Sequence, residues 1–549
     1  MSNMKSYSIY ILFAFVFCNA TKVQAQTGSD DIEQEEITVI GNYKPHLADA
    51  VKINPGPTLP EITSDSVGAL NYNVPISFAP LPWSPASVRP VAIGKQTLAP
   101  LQNVFAKAGF GTQFSPLLEV AYSSGRSEQF NYGLRGKYTS ANGSLENQLF
   151  THGSGDLFAK YFAGDVAIGL RASLQNEVLH YYGYDHEDTS FAREDVKQRF
   201  LVVGGHLDLS NTKINDFGVD WGVDGGVYFQ NDFNKFSEIN PYLNGTLSYI
   251  LNSKDQIRVK LGFENLNYKG PIDQSRTIVR LGTAYRFLRD DWYFNAGAQI
   301  AVDSGNVNFY PDLEFSRELL GEELVFFIGW NMRLETNSWR SMAAKNPYLA
   351  DSITFLNTRL EDRFFGFRGK TGGKFDYKVR LSQKLGKDFV FYVTDSLDTK
   401  RFQPVYTDDV TLLAAHLEAG YLYGDKLRIF GSAEFRNFNK TGDQPRAWHE
   451  PSLIWNIGGT YKFNDKLSIS SSIIGQSATW AKLPVPQADG TNEIELKGTA
   501  DINVGATYAY NKYFTIWLDV NNLAAIKHQQ WYQYPSYGFQ VKGGLQFSF

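Results

Sequence analysis

Residues 494–508 read Ile494-Glu495-Leu496-Lys497-Gly498-Thr499-Ala500-Asp501-Ile502-Asn503-Val504-Gly505-Ala506-Thr507-Tyr508, apolar or small at every even position and, Gly505 apart, polar at every odd one. In an extended chain a period of two sends the two sets to opposite faces. Strands of soluble proteins average about 5 or 6 residues, and this alternation persists for fifteen. A tilted strand that crosses a bilayer needs about 9 to 11. The reading is a wall with lipid against its apolar face and an interior against its charged face.

The pattern recurs along the chain. Ile257, Val259, Leu261 and Phe263 alternate with Arg258, Lys260, Gly262 and Glu264. Val279, Leu281, Thr283, Tyr285 and Phe287 alternate with Arg280, Gly282, Ala284 and Arg286. Phe375, Tyr377, Val379 and Leu381 face away from Asp376, Lys378, Arg380 and Ser382, and Phe514, Ile516, Leu518 and Val520 from Thr515, Trp517, Asp519 and Asn521. Between these segments the connections come in two interleaved sets. One is short, as at Gly164-Asp165, Gly424-Asp425, Asn464-Asp465 and Asn511-Lys512. The other is long and rich in charge and aromatics, as in 183–196, 336–353, 396–409, 438–451, 478–492 and 525–537. Short turns at one end and long loops at the other are the habit of outer-membrane barrels. The expectation is an all-β, transmembrane antiparallel barrel over 101–549 with about 22 strands; parsing 101–123 and 355–395 differently gives 14 to 20.

The final segment alternates to its last residue, with Phe539, Val541, Gly543, Leu545, Phe547 and Phe549 on one face. A terminal aromatic on such a strand resembles the signal read by outer-membrane assembly machinery, so Phe547 and Phe549 are the candidate assembly signal. At the other terminus Lys5 precedes the apolar run Ile9 to Phe17, and Val23-Gln24-Ala25 precedes Gln26. That is the pattern of a cleaved signal peptide, residues 1–25, implying export; the run is too short to span a bilayer as a helix. The only cysteine, Cys18, lies in this leader. The exported chain would have no disulfide framework and no thiol nucleophile or ligand.

Residues 26–100 differ in texture. The acidic stretch 26–35 has no apolar period. It leads into Glu36-Ile37-Thr38-Val39-Ile40-Gly41, and ten of the chain's 21 prolines then fall between Pro45 and Pro100. That density disfavours helices and central strands and predicts an extended, polyproline-like segment.

The stretch Glu36 to Gly41 resembles a TonB box, the segment by which TonB-dependent receptors engage an energised periplasmic partner. With Tyr43-Lys44-Pro45, Asp49-Ala50-Val51-Lys52-Ile53-Asn54 and the prolines of 75–85, residues 36–549 are similar to short TonB-dependent-receptor-like barrels of the Bacteroidota. The resemblance implies residence in the outer membrane, contact with its lipid and assembly machinery, a TonB-like or other periplasmic partner bound through Glu36, Ile37, Thr38, Val39, Ile40 and Gly41, and passage of a solute. A non-conducting barrel that scaffolds periplasmic or surface proteins is the alternative. The similarity stops short of a plug. Only about sixty residues separate the box from the first strand, too few for a folded plug domain among so many prolines.

Composition excludes much else. With 15% aromatics, 48 glycines, four methionines and a mean hydropathy of −0.29, the chain suits alternating strands rather than apolar helices. A net charge of −5 offers nucleic acid no basic footprint. The eight histidines form no metal-ligand motif, His152-x-Ser154 reads as a turn, and no cofactor or catalytic site is expected. The functional candidates are the charges assigned to the interior: Arg258, Lys260, Glu264, Arg280, Arg286, Lys378, Arg380, Arg428, Glu434, Arg436 and Lys497. Tyr508, Tyr513, Trp517, Trp531, Tyr532 and Tyr534 read as an interfacial girdle; residues 531–534 would also suit stacking on a glycan.

Overall fold

The computed structural model describes residues 102–549 apart from Arg126, Ser253 and 487–489. The leader, the proline-rich stretch and the box-like segment 36–41 lie outside the described residues. Twenty-two strands join edge to edge in one antiparallel sheet, from Val104–Gly111 to Gln540–Ser548, most of them 10 to 15 residues long. The first strand pairs on one side with Leu117–Ser123 and on the other with the last strand, from Phe105 opposite Ser548 to Gly111 opposite Lys542. The sheet is therefore a closed barrel. Closure satisfies the backbone donors and acceptors of both edges, which a wall in lipid requires.

The two faces of the wall differ as the alternation demands. Ile257, Leu261 and Phe263, Val279 and Leu281, Phe514, Ile516 and Leu518, and Leu545 are exposed on the outer face. Of their neighbours of opposite parity, which face the interior, Gln540, Lys542 and Trp517 are buried and Arg258, Glu264 and Arg280 half-buried. At one end the connections are short, from two residues at 164–165 to seven at 212–218. Gly164 turns the shortest of them at φ 62°, a left-handed conformation that glycine adopts without strain. At the other end lie 181–196, 336–357, 388–409, 442–452, 477–498 and 522–539.

These long connections are packed rather than loose. Residues 336–357 carry a two-turn helix, Trp339–Lys345, whose N-cap Ser338 forms a reciprocal capping box with Ser341. Residues 388–409 form the hairpin of Phe389–Thr394 and Phe402–Thr407, and Thr479–Lys482 pairs with Glu493–Leu496 in another. That second hairpin corrects the reading of 494–508 as one strand. The barrel strand is Thr499–Ala509, and the chain before it belongs to a different sheet. Among the described residues, no helix is long and apolar enough to cross a membrane.

Candidate functional site: the inner wall beneath an aromatic cap

The long-loop end holds the largest buried apolar cluster of the described residues. Trp339, Met342, Leu349, Ile353 and Phe355 come from one loop, Tyr392 and Phe402 from the hairpin of the next, Tyr182 from 181–196, and Trp531 and Tyr534 from 522–539. Phe402 is wholly buried, at 0% exposure. The Tyr348 and Tyr534 rings stack at 3.6 Å, and Trp531 sits 5.3 Å from Phe402 and 5.4 Å from Tyr392. Polar anchors tie this cap to the wall. The buried carboxylate of Glu238, on Ser237–Leu251, accepts from the Tyr228 hydroxyl at 2.7 Å and the Trp339 amide at 2.7 Å, at the start of the helix. Opposite charge at a helix start also suits the orientation of its peptide dipoles. Arg276, on Gln274–Leu288, donates to the Asn357 side chain at 2.7 Å and to the Asn337 carbonyl; within the cap itself, Arg401 pairs with Asp351 of the neighbouring loop and with Asp398 of its own.

Within the cap, His449 takes a left-handed backbone (φ 57°) and lies 4.9 Å from the Trp531 ring and 5.4 Å from Phe402. Its Nδ1 is 3.0 Å from the Tyr392 carbonyl, so the neutral ring carries its proton there and donates it. Burial pulls this imidazole down to about 4, with the Tyr392 carbonyl opposing. In the turn 232–236 the effect has the other sign. Burial pushes the Asp232 carboxyl up to about 6, against hydrogen bonds from the Phe236 amide and the Gln198 side chain.

The cap corrects the reading of the aromatics. Trp531 and Tyr534 are core residues of the loops, neither a girdle nor an open stacking surface. Trp517 faces inward and is 2% exposed. Its indole lies over Gly109, where a Cβ would come within 2.2 Å of the ring, with the Lys107 ammonium 4.0 Å above it. A strip of glycine at the closing seam, Gly109 opposite Gly544, makes room for the largest side chain on that row.

Beneath the cap, the charges fall into three groups. In the first, cations hold carboxylates. Arg280 pairs with Glu264 and reaches Thr336 Oγ1 at 2.6 Å. Arg380 meets Asp362 at 2.8 Å and lies 4.1 Å over the Phe364 ring. Arg436 joins Glu434 at 2.9 Å and Glu450 at 3.4 Å. In the second group, Arg258, Lys260, Arg286, Lys378 and Arg428 make no ion pair with any described residue. Lys378 shares a cavity of about 270 Å³ with Arg380, Ser382, Lys384, His416 and Glu434. Arg428 only overlies Phe430, at 5.9 Å. The third group is Lys497 alone, and it is a correction: it sits exposed in the bend between the hairpin strand Glu493–Leu496 and the barrel strand Thr499–Ala509, off the wall.

Sequence reading missed Asp362, Lys384 and His416, although Lys384 continues the parity of Lys378 and Arg380. His416 faces Arg380 across the sheet, a pairing that only register reveals. At the terminus, the Phe547 ring packs 5.1 Å from Phe514. Phe549 stacks on Tyr513 at 5.7 Å, and its carbonyl accepts from the Asn103 and Val104 amides.

No protein-family model and no curated protein matches the sequence. Solved structures do match the fold. The FrpB iron transporter from Neisseria meningitidis (F3-3 variant) aligns with a TM-score of 0.63 at 13% identity, over 82% of this chain and 81% of that one. A ferric enterobactin receptor (PfeA) mutant from Pseudomonas aeruginosa gives 0.63 at 11%, over 81% and 80%. The siderophore receptor PirA from Acinetobacter baumannii gives 0.62 at 10%, over 82% and 80%. The class this fold defines is thus the 22-strand barrel that these receptors and transporters share. At such identities the likeness is one of architecture.

Proposed function

We propose that this protein is an outer-membrane barrel of TonB-dependent-receptor type, exported through residues 1–25, that passes a solute across the outer membrane. The observation that carries the proposal is a closed wall whose exposed outer rows are apolar and whose inner rows are charged. The shared architecture with an iron transporter and siderophore receptors adds support. In this reading the outer face meets lipid, the short turns face the periplasm, and the long loops face outward. Residues 36–41 engage a TonB-like periplasmic protein, the barrel works without a folded plug domain, and Phe547 and Phe549 present the assembly signal. The inner charges Arg258, Lys260, Glu264, Arg280, Arg286, Lys378, Arg380, Arg428, Glu434 and Arg436 line the route, because side chains on that face set a barrel's selectivity.

Planar-bilayer recording tests the proposal. Conductance should rise when the cap is loosened or residues 26–100 are deleted; a barrel that stays silent in all three forms would refute passage. The second reading, a non-conducting scaffold, is favoured by the packed aromatic cap. It predicts that pull-down with and without residues 36–41 retains an envelope protein other than a TonB-like one.

A further inference from the structure

Arg258, Lys260 and Arg286 form a cluster whose like charges have no described carboxylate to meet. Arg258 lies opposite Ala284, two residues along the same face from Arg286; such diagonal neighbours have Cα atoms about 7–8 Å apart. Lys260 is the next inward residue after Arg258 and lies opposite Gly282. The three cations ring a floor of small residues, because Gly282 and Ala284 face Gln299 and Gly297 on the following strand. Their hydrogen-bond partners are neutral: Arg258 reaches Ser248 Oγ and Gln256 Oε1 at 3.4 Å each, and Arg286 reaches Asn295 Oδ1 at 3.2 Å. Lys260 makes no hydrogen bond or ion pair with a described residue and is exposed on the inner face.

The carboxylates that share these rows are Asp220, beyond Ser248, Asp312, beyond Gly297, and Glu314, beyond Asn295. None of the three makes an ion pair within 4 Å of these cations. This contrasts with Arg280, Arg380 and Arg436, each of which holds a carboxylate. Three adjacent cations with no carboxylate in ion-pair reach repel one another, an effect that Asp220, Asp312 and Glu314 offset only from a distance, and a multivalent anion seated among them removes that repulsion. Two guanidinium forks and an ammonium over a shallow floor suit oxyanions, which arginine grips with paired N–H donors. The amides of Gln299 and Asn295 lie alongside.

We infer that Arg258, Lys260 and Arg286 form a binding site on the inner wall, near the short-turn end, for a compact multivalent oxyanion of the phosphate or polycarboxylate class. The site works by equilibrium binding and does not depend on whether a solute passes through the barrel. Its test is therefore calorimetry on the full-length protein in detergent micelles, with pyrophosphate and tricarballylate as probes. At least one probe binds at low salt, and affinity falls as salt rises, since the attraction is between charges. The double variant K260Q/R286Q weakens binding by roughly tenfold or more, whereas R428Q, which removes an inner cation elsewhere, leaves it within about twofold. Which probe binds separates phosphate from carboxylate. Heat-modified mobility on gels checks that each variant is a closed barrel. In the unaltered protein, the bound probe also slows acetylation of Lys260 relative to Lys254 in the adjacent turn. No binding of either probe, equal weakening by R428Q, or unchanged affinity in the double variant each overturns the inference.

Discussion

At its short-turn end the barrel closes each hairpin with two to seven residues, and the packing there is local, as where Phe549 meets Tyr513, Phe287 meets Trp292 and Arg289 meets Asp255. At its long-loop end the connections build an apolar core of their own, with a helix, three short hairpins and a buried aromatic cluster. The wall between them is held by cross-strand hydrogen bonds that no single side chain controls. The cap is held by side chains that can be removed one at a time. Point substitutions should therefore act on the cap without opening the wall.

Phe402→Ala is the strongest test of that division. Truncating a wholly buried phenylalanine costs about 3–5 kcal/mol, and this ring, together with Tyr392, joins its own loop to His449 and Trp531. Loop cleavage by added protease should rise sharply while heat-modified mobility stays that of a closed barrel. If the barrel opens as well, cap and wall are one cooperative unit. Leu281→Arg probes the opposite side. It places a charge mid-strand on the exposed outer face and should cost the barrel about 2–4 kcal/mol in lipid, measured by urea titration in vesicles, with the cap's protease resistance unchanged. A null result would mean that this face does not meet lipid.

The pH response of the cap follows from His449. Its folded value of about 4 lies below the ordinary histidine value, so between about 4 and about 6.5 the opened cap binds more protons than the closed one. Stability is then complete above about 6.5 and falls as the pH drops towards 4, by up to about 3 kcal/mol if the full shift is realised. Asp232, raised to about 6, acts with the opposite sign: its contribution is lost as the pH rises from about 4 through 6. Protease protection of the loops at pH 5 against pH 7.5 reads the balance, and His449→Gln should flatten the histidine part. The smallest expected effect is Arg428→Gln, which removes a cation with no ion pair among the described residues and should change stability by less than about 0.5 kcal/mol.

The wall was legible because lipid imposes a rule on every second residue, and Gly164-Asp165 or Asn464-Asp465 punctuate it with turns. The cap was not, because its residues obey no period. Trp531 and Tyr534 read as amphipathic surface aromatics until the partners that bury them, Tyr348, Tyr392 and Phe402, are brought over from distant loops. The stretch 494–508 fails for a subtler reason. Alternation records that a chain is extended, not which sheet it joins. At Gly498 the backbone passes so close to Gln476 and Ala478 that a Cβ would sit within 3 Å of both, and the partner strand changes there. Pairing across the inner wall was equally invisible. Lys378 and Arg380 were on the correct face of their strand, but which cation would find a carboxylate depends on register, and register is set by neighbouring strands.

The seam between Val104–Gly111 and Gln540–Ser548 makes the order of synthesis matter. Phe105 and Ser548 stand at opposite ends of the barrel sequence, so the pairing that finishes the sheet is also the most distant along the chain and can form only after the last residues exist. Until then the sheet has two raw edges, each a row of unpaired amides and carbonyls ready to accept a strand from another molecule. The entropy of bringing such remote segments together grows only slowly with separation. The hazard therefore lies less in the equilibrium than in the waiting time, during which an unfinished barrel is a template for its own aggregation.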